Sequence, residues 1–184
     1  MAYSYYGTLT GANEYFEQRL HSDSWNDSAT TDRPKALQEA TRLIDNLNYK
    51  GVKHALWSIM YEYDSTNECY KKLTGTKAPS RNEMITADAT QALEFPRGQD
   101  TTVPSEIEWA CYEIALALIE GFDPEDAAER MNIIRQSYSA VRTTYDNSSA
   151  MAEYLVYGIP TSRVWQWLLP YLTDGKLIRL SRAD

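Results

Sequence analysis

The chain has 184 residues, 43% of them hydrophobic, and a formal net charge of −8. This length predicts one domain, and the acidic balance argues against nucleic-acid binding over the whole surface, because phosphate contacts require clustered lysine and arginine. Two cysteines are too few for a disulfide framework, and no stretch approaches the roughly 20 apolar residues of a membrane-spanning helix. We therefore expect a protein made in the cytoplasm, with no membrane as a partner.

The N-terminal quarter predicts two helices. Thr10 is placed to cap the first, which is expected to reach Leu20, and a polar loop at 21–31 follows with Trp25 as its anchor. In the second helix Asp32 is the predicted N-cap, Pro34 falls in the first turn, and the end lies near residue 48. Its apolar residues recur at helical spacing: Ala36, Leu37, Ala40, Leu43, Ile44 and Leu47.

The middle of the chain has no clear period. One or two short helices are plausible between 52 and 81, and Asn82 either caps a short helix reaching Leu93 or belongs to a loop. The sequence at 95–98 is Phe-Pro-Arg-Gly, which predicts a turn.

A third long helix is predicted to begin at Val103-Pro104-Ser105-Glu106 and to end at Gly121. Its expected buried stripe contains Ile107, Ala110, Cys111, Ile114, Ala117 and Leu118. The opposite face carries acidic residues, expected to be solvated: Glu106, Glu108, Glu113 and Glu120.

The last third mixes element types. A short helix is expected from Asp123 to about Met131, and β-branched and aromatic residues among short polar ones predict a strand or hairpin within 133–145. A final helix should start at Pro160 or Thr161 and be interrupted by Pro170. The expected fold is mainly α, a helical bundle with a small β-strand or hairpin element and an extended C-terminal arm at 173–184.

The sequence offers no recognisable catalytic or cofactor motif. His21 and His54 are isolated, and neither metal-binding spacings such as HExxH and CxxC nor the nucleotide-binding Walker A and GxGxxG patterns occur. The plentiful carboxylates are typical of a solvated acidic surface. We expect a protein that is not an enzyme and uses no metal or cofactor.

The aromatic composition is unusual, with 14 Tyr and 5 Trp but 3 Phe. Tyrosine and tryptophan are enriched at interfaces, yet ordinary half-buried packing is an equally good interpretation. Aromatic residues near arginines are also typical of single-strand DNA sites, and two groups qualify: Arg135, Tyr138 and Arg142, and Arg163, Trp165 and Trp167. At helical spacing, Trp165 with Leu168 is more typical of a core or an interface.

Five segments in order carry a resemblance to a known family. They are the Ala40–Asp45 helix with Tyr49-Lys50-Gly51, Gln91–Arg97, Val103-Pro104 leading into Ala110–Ala115, Ser139–Tyr145, and Leu168–Leu172. As an ordered set they resemble the head-to-tail adaptor (connector, or neck) proteins of tailed bacteriophages. Related phage sequences are also labelled putative DnaT-like single-strand DNA-binding proteins, which is the alternative function.

The resemblance implies a structural virion protein of the neck, between capsid and tail. Residues 1–172 would form a helical adaptor domain with an insertion around 52–90. Copies would form a ring, usually dodecameric, below the portal protein, and a downstream neck or tail protein would bind the other side. DNA would pass through the lumen during ejection without sequence-specific binding, and the acidic face of the third helix could line that lumen.

The same picture supplies candidate contact residues. The C-terminal arm would dock onto the portal through basic and apolar side chains: Lys176, Leu177, Ile178, Arg179, Leu180 and Arg182. A ring needs two complementary surfaces on each subunit. The candidates for the subunit interface are Tyr138, Val141, Arg142, Tyr145, Trp165 and Trp167.

Overall fold

The computed structural model describes residues 4–126, 135–138, 141–144 and 153–173. The fold is mainly α, as predicted, with two small antiparallel hairpins. The C-terminal arm beyond Thr173 lies outside the described residues.

Helix α3 (Asp32–Asp45) and helix α6 (Ser105–Ile119) form the centre of the core. Both predicted helices are confirmed, although α3 begins at Asp32 instead of being capped by it, and it ends at Asp45 before the predicted residue 48. The predicted apolar stripe of α3 is buried apart from Leu43, which is half-buried. Helix α6 is buried on all sides from Ala110 to Leu116, because helices pack against it from several sides, whereas Ala117 and Leu118 of its predicted stripe are only half-buried.

The N-terminal helices cover this pair. Helix α1 (Leu9–Glu17) is capped by Thr8, whose hydroxyl accepts the Gly11 N–H at 2.9 Å, so the predicted cap at Thr10 is wrong by two residues. The predicted loop contains a short helix, α2 (Asp23–Asp27). Its Trp25 is the buried anchor that the sequence predicts, and its ring packs 4.6 Å from that of Phe16.

The region between the two central helices forms a compact excursion, here called the insertion (residues 53–92). It contains α4 (His54–Met60), strands β1 (Tyr61–Asp64) and β2 (Cys69–Lys72), a 3-10 turn (Gly75–Lys77) and α5 (Arg81–Thr90). The short helices agree with the prediction, but the hairpin was not predicted. Ser80, not Asn82, caps α5, through a reciprocal capping box with Glu83.

The predicted turn at 95–98 is present: the Phe95–Pro96 bond is cis and Gly98 has a positive φ. Helical backbone begins again at 124–126, and the expected end of that helix near Met131 lies outside the described residues. The predicted hairpin near 133–145 is confirmed as β3 (Arg135–Tyr138) paired with β4 (Val141–Thr144).

The chain closes the core with two further helices. A single turn, α7 (Glu153–Val156), precedes α8 (Ser162–Leu168), which begins within two residues of the predicted start. Thr161 is its N-cap and accepts the Val164 N–H at 3.3 Å. Pro170 then lies in a 3-10 turn (Leu169–Tyr171), and Leu172 forms an antiparallel bridge with Tyr49. The described chain therefore ends beside the C-terminal end of α3.

Candidate interaction surface

The chain enters the insertion and returns from it at one place on the core. Lys53 and Arg97 form an antiparallel backbone bridge, extended on either side by His54 N–H to the Pro96 carbonyl at 3.0 Å and Gly98 N–H to the Val52 carbonyl at 2.9 Å. The Gln91 side chain adds three bonds, accepting the Ala55 N–H at 3.1 Å and donating to the carbonyls of Pro96 at 2.8 Å and Leu93 at 3.0 Å. These bonds hold the insertion in a fixed orientation.

Arg97 links this junction to the backbone that follows α3. Its guanidinium donates to the carbonyls of Lys50 at 3.0 Å and Gly51 at 2.6 Å, forms an ion pair with Glu94, and lies 5.6 Å from the ring centre of Tyr49. The planar five-donor guanidinium suits such a site, because one side chain satisfies several carbonyls at once.

A buried carboxylate connects the junction to the N-terminus. Tyr6 donates its hydroxyl hydrogen to Asp45 at the end of α3, and its oxygen accepts the Phe95 N–H at 3.2 Å. The Glu94 N–H also points at Asp45, at 3.4 Å. Burial raises the pKa of Asp45 above its usual 3.8, although the bond from Tyr6 acts in the opposite direction. Ionisation of Asp45 in the folded protein therefore lowers the free energy of unfolding.

Replacing Asp45 by Asn should change how stability depends on pH. The folded-state pKa of Asp45 is raised, so the folded chain retains a proton that the unfolded chain has lost, and this contribution falls as pH rises above about 3.8 through the folded pKa. Asparagine keeps the acceptor oxygen but does not ionise. Asp45→Asn should therefore gain stability relative to wild type as pH rises over that window. Urea unfolding at several pH values measures this difference, and a constant difference would contradict it.

The insertion carries one face of aromatic residues, here called the aromatic face (Trp57, Tyr61, Tyr63 and Tyr70). Tyr61 and Tyr63 point to the same side of β1 because strand side chains alternate, and Tyr63 pairs directly with Tyr70. Ring centres are 5.1 Å apart for Tyr63 and Tyr70, 4.7 Å for Tyr70 and Trp57, and 5.1 Å for Trp57 and Tyr61. Tyr63 is 53% exposed and Tyr70 is 44% exposed.

The opposite face of the same hairpin is charged and internally paired. Lys71 forms an ion pair with Asp64, and Lys77 lies 3.4 Å from Glu62. The bond from Lys71, followed by those from Asn67 and the Thr66 N–H, lowers the pKa of Asp64 to about 2. Asp64 also accepts the Thr66 N–H at 2.9 Å, which stabilises the turn between the strands. The hairpin therefore presents paired charges on one side and exposed aromatic side chains on the other.

No residue between 53 and 92 is buried. Helices α4 and α5 leave an open groove of about 820 Å3 between them, here called the α4–α5 groove, whose lining includes Ala55, Ser58, Ile59, Pro79, Thr86 and Ala87. Nearby Ile85 is 58% exposed. An ordered segment that leaves this much apolar surface uncovered is typical of a surface that binds something else.

A second aromatic surface, here called the tryptophan patch (Trp109, Arg163 and Trp167), lies where α8 crosses α6. The Trp109 and Trp167 ring centres are 6.1 Å apart, and the Arg163 guanidinium lies 5.0 Å from the Trp167 ring centre. Trp109 is 39% exposed and Trp167 is half-buried. The patch therefore combines aromatic surface with a cation at its edge.

The acidic face predicted for α6 is not continuous. Glu113 is buried, contrary to the prediction, and it forms a bidentate ion pair with Arg19, with N–O distances of 2.7 and 2.9 Å. The Tyr15 hydroxyl donates to the same carboxylate at 2.7 Å. Glu106 and Glu108 are half-buried, and burial raises the pKa of Glu108. Of the four residues only Glu120 is exposed, so this face does not present the continuous carboxylate surface that was expected of a lumen.

The candidate interface residues fall into three groups. Trp167 is at the surface, in the tryptophan patch. Trp165 is buried and stacks on Tyr157 at 5.4 Å, so most of its surface contacts its own chain. Tyr138, Val141 and Arg142 lie on the β3–β4 hairpin, whose backbone pairing alone is described. Several candidates lie outside the described residues: Tyr145, Lys176, Leu177, Ile178, Arg179, Leu180 and Arg182.

Sequence reasoning missed the aromatic face and the exposure of Trp109. The period-two spacing of Tyr61 and Tyr63 was a usable signal, since alternation is the mark of a strand with one special face. Trp109 sits beside the predicted buried stripe of α6, and its exposure depends on how closely α8 packs there, which no local pattern reports.

Comparison with known proteins gave no match to a family model, to a curated protein or to a solved structure. Among the described residues, no cluster of three or more histidine, cysteine, aspartate or glutamate side chains is arranged to hold a metal ion. In the same part of the chain, no helix has the length and apolarity needed to cross a membrane.

Proposed function

We propose that the protein is a structural subunit of a ring, acting as a head-to-tail adaptor in the neck of a tailed bacteriophage. The observation that carries the proposal is the aromatic face, which is half-exposed on an insertion that has no buried residue and is hydrogen-bonded to the core at its base. Large aromatic side chains held in place by ordered backbone are typical anchors of protein interfaces.

Two unlike surfaces on one subunit support the ring. In a closed ring each subunit contacts its neighbours through two different patches, because the contact is head to tail. The aromatic face on the insertion and the tryptophan patch on α6 and α8 are two such patches, separate in sequence and different in composition. Arg163 at the edge of the patch suits contact with a tyrosine ring of the neighbour.

In this proposal the chain is not an enzyme and binds no cofactor. The ring joins the portal protein to the next neck or tail protein, and DNA crosses its lumen during ejection. The basic and apolar segment at 176–182 is the proposed portal-docking element. A ring of twelve subunits, as the resemblance implies, would match the usual portal.

The first test is copy number and its dependence on the aromatic face. Mass spectrometry of purified virions should find the chain at about portal stoichiometry. Tyr63→Ser combined with Tyr70→Ser should lower its incorporation about 30-fold, because losing two interface anchors costs roughly 2 kcal/mol or more. Glu62→Ser with Cys69→Ser changes the opposite face of the same hairpin and should leave incorporation nearly unchanged.

Two results would contradict the proposal. One is absence of the chain from virions when it is abundant in infected cells. The other is equal incorporation of the two double variants, which would remove the aromatic face from the assembly.

The alternative is single-strand DNA binding, and one observation favours it. Lys72 pairs with Tyr61 across the hairpin and so lies beside the aromatic face, while Arg163 lies over Trp167. Rings next to cations are suited to stacking bases while neutralising phosphates. Salt-sensitive oligonucleotide binding that Tyr63→Ser with Tyr70→Ser abolishes would support this alternative, and absence of binding at low salt would reject it.

A further inference from the structure

We infer that the aromatic face of one subunit binds the tryptophan patch of the next, with the Glu68 carboxylate of the first subunit paired to the Arg163 guanidinium of the second. This inference rests on the proposed ring and names the contact that would close it. It assigns the two exposed aromatic surfaces to each other and fixes the orientation in which they meet.

Both surfaces keep large rings exposed on ordered elements. On the hairpin Tyr63 is 53% exposed and Tyr70 is 44% exposed, and on α6 Trp109 is 39% exposed. Aromatic rings that pack edge to face or offset-stacked attract each other beyond what their buried area alone contributes. A second copy of the chain offers an aromatic partner to both surfaces at once.

Arg163 has no counter-charge in the described part of its own subunit. Its guanidinium lies 5.0 Å from the Trp167 ring centre and makes no ion pair or hydrogen bond with any described residue. Glu113 on the adjacent helix α6 cannot serve, because its carboxylate already accepts bonds from Arg19 and Tyr15. An exposed guanidinium is suited to bind both oxygens of a carboxylate that comes from another molecule.

Glu68 is the hairpin carboxylate that can meet this guanidinium. It lies at the end of the turn, two residues before Tyr70, and is exposed without an ion pair or hydrogen bond to any described residue. The other hairpin carboxylates, Glu62 and Asp64, are already paired with lysines. Glu68 also has a φ of +50°, and non-glycine residues held in this strained region cluster at binding sites.

Charge fixes the orientation of the contact. Among the described residues, Lys72 is the other charge beside the aromatic face that has no ion pair, and it pairs with Tyr61 at the base of the hairpin. Glu68 is at the turn, so the two charges lie at opposite ends of the face. The reverse orientation would place Lys72 against Arg163, and like charges in contact oppose binding. Glu68 would also repel a phosphate, so this surface favours a protein partner over nucleic acid.

The contact is head to tail, because the aromatic face and the tryptophan patch are different surfaces of one subunit. Each subunit that binds through its aromatic face still has its own patch available to a further subunit. The same contact can therefore repeat until the assembly closes on itself.

Charge reversal and rescue in the full chain test the pairing. Glu68→Arg and Arg163→Glu should each weaken self-association at least about tenfold, because each variant places like charges against each other at the contact. Mixing the two variants should restore association to within about threefold of wild type, because the hairpin of each variant then meets the opposite charge on the patch of the other. Sedimentation velocity at low salt measures the association.

Three control variants accompany the reversals. Glu120→Arg and Arg81→Glu make the same changes of charge at exposed positions outside both surfaces, and each should alter association by less than about twofold. Lys72→Glu tests the orientation and should also have little effect. Tighter association of Lys72→Glu would indicate the reverse orientation and would overturn the inference. Circular dichroism melts verify that every variant is folded.

Three further results would overturn the inference: no weakening by the two reversals, no rescue on mixing, or no self-association of wild type up to about 1 mM. Its failure is distinguishable from failure of the proposed function. Virion incorporation that depends on Tyr63 and Tyr70, without rescue on mixing, would leave the adaptor function standing and reject this contact. Rescue by a chain that is absent from virions would keep the contact and reject the adaptor function.

Discussion

Gly7→Ala is expected to destabilise the fold by about 3 kcal/mol. Gly7 has a φ of +74°, and a β-carbon there would lie 2.0 Å from the Tyr112 hydroxyl oxygen and 2.7 Å from the ring carbon that bears it. Tyr112 is buried and its oxygen accepts the Thr8 N–H at 3.3 Å, so the ring cannot move away without losing contacts. Both the left-handed backbone and the clash contribute to the loss. Urea unfolding measures it.

Gly51→Ala is the matched control. Gly51 has nearly the same φ, +73°, but a β-carbon there meets nothing within 4 Å. Its substitution should cost only the backbone term, about 1 kcal/mol. If both variants lost the same stability, the clash with Tyr112 would be excluded as a cause.

Glu113→Ala is expected to cost about 3 kcal/mol. The substitution removes the acceptor of both Arg19 and Tyr15 from a site where Glu113 itself is only 8% exposed. A partner left without its counter-charge in such a site costs more than the pair contributes when intact. Arg19 is 27% exposed, and water at that exposure limits the loss.

The controls for this prediction use the same helix and the same pair. Glu120→Ala changes an exposed carboxylate at the end of α6 and should alter stability by less than about 0.5 kcal/mol. Arg19→Ala with Glu113→Ala should cost clearly less than the sum of the two single variants, because the second substitution removes the group that the first leaves unpaired. Additive losses in guanidinium unfolding would show that the pair is not coupled.

The long helices were predictable because the spacing of apolar residues within each helix indicates its buried face. In α3 the apolar residues recur at helical spacing, so sequence alone identified nearly all of its buried stripe. Glu113 was misplaced for the opposite reason. Its partner Arg19 is 94 residues away in the chain, and only the packing of α1 on α6 brings the two together.

The β1–β2 hairpin was missed because its strands bury nothing on either side. Sequence patterns find strands mainly through the contrast between a buried and a wetted face, and this hairpin instead contrasts aromatic with charged side chains. Its turn also lacks the glycine that usually indicates a positive φ, because Glu68 adopts the φ of +50°. The one local signal of the aromatic face was therefore the period-two spacing of Tyr61 and Tyr63.

The bridge between Lys53 and Arg97 has a consequence for how such a chain can diverge. The chain leaves the core and returns to it at adjacent positions, so the distance between these positions does not depend on the insertion. The length and sequence of the insertion can therefore vary with little effect on α3 and α6. The insertion could then be exchanged while the core keeps its packing. A different insertion at this position would give a different binding surface on the same core.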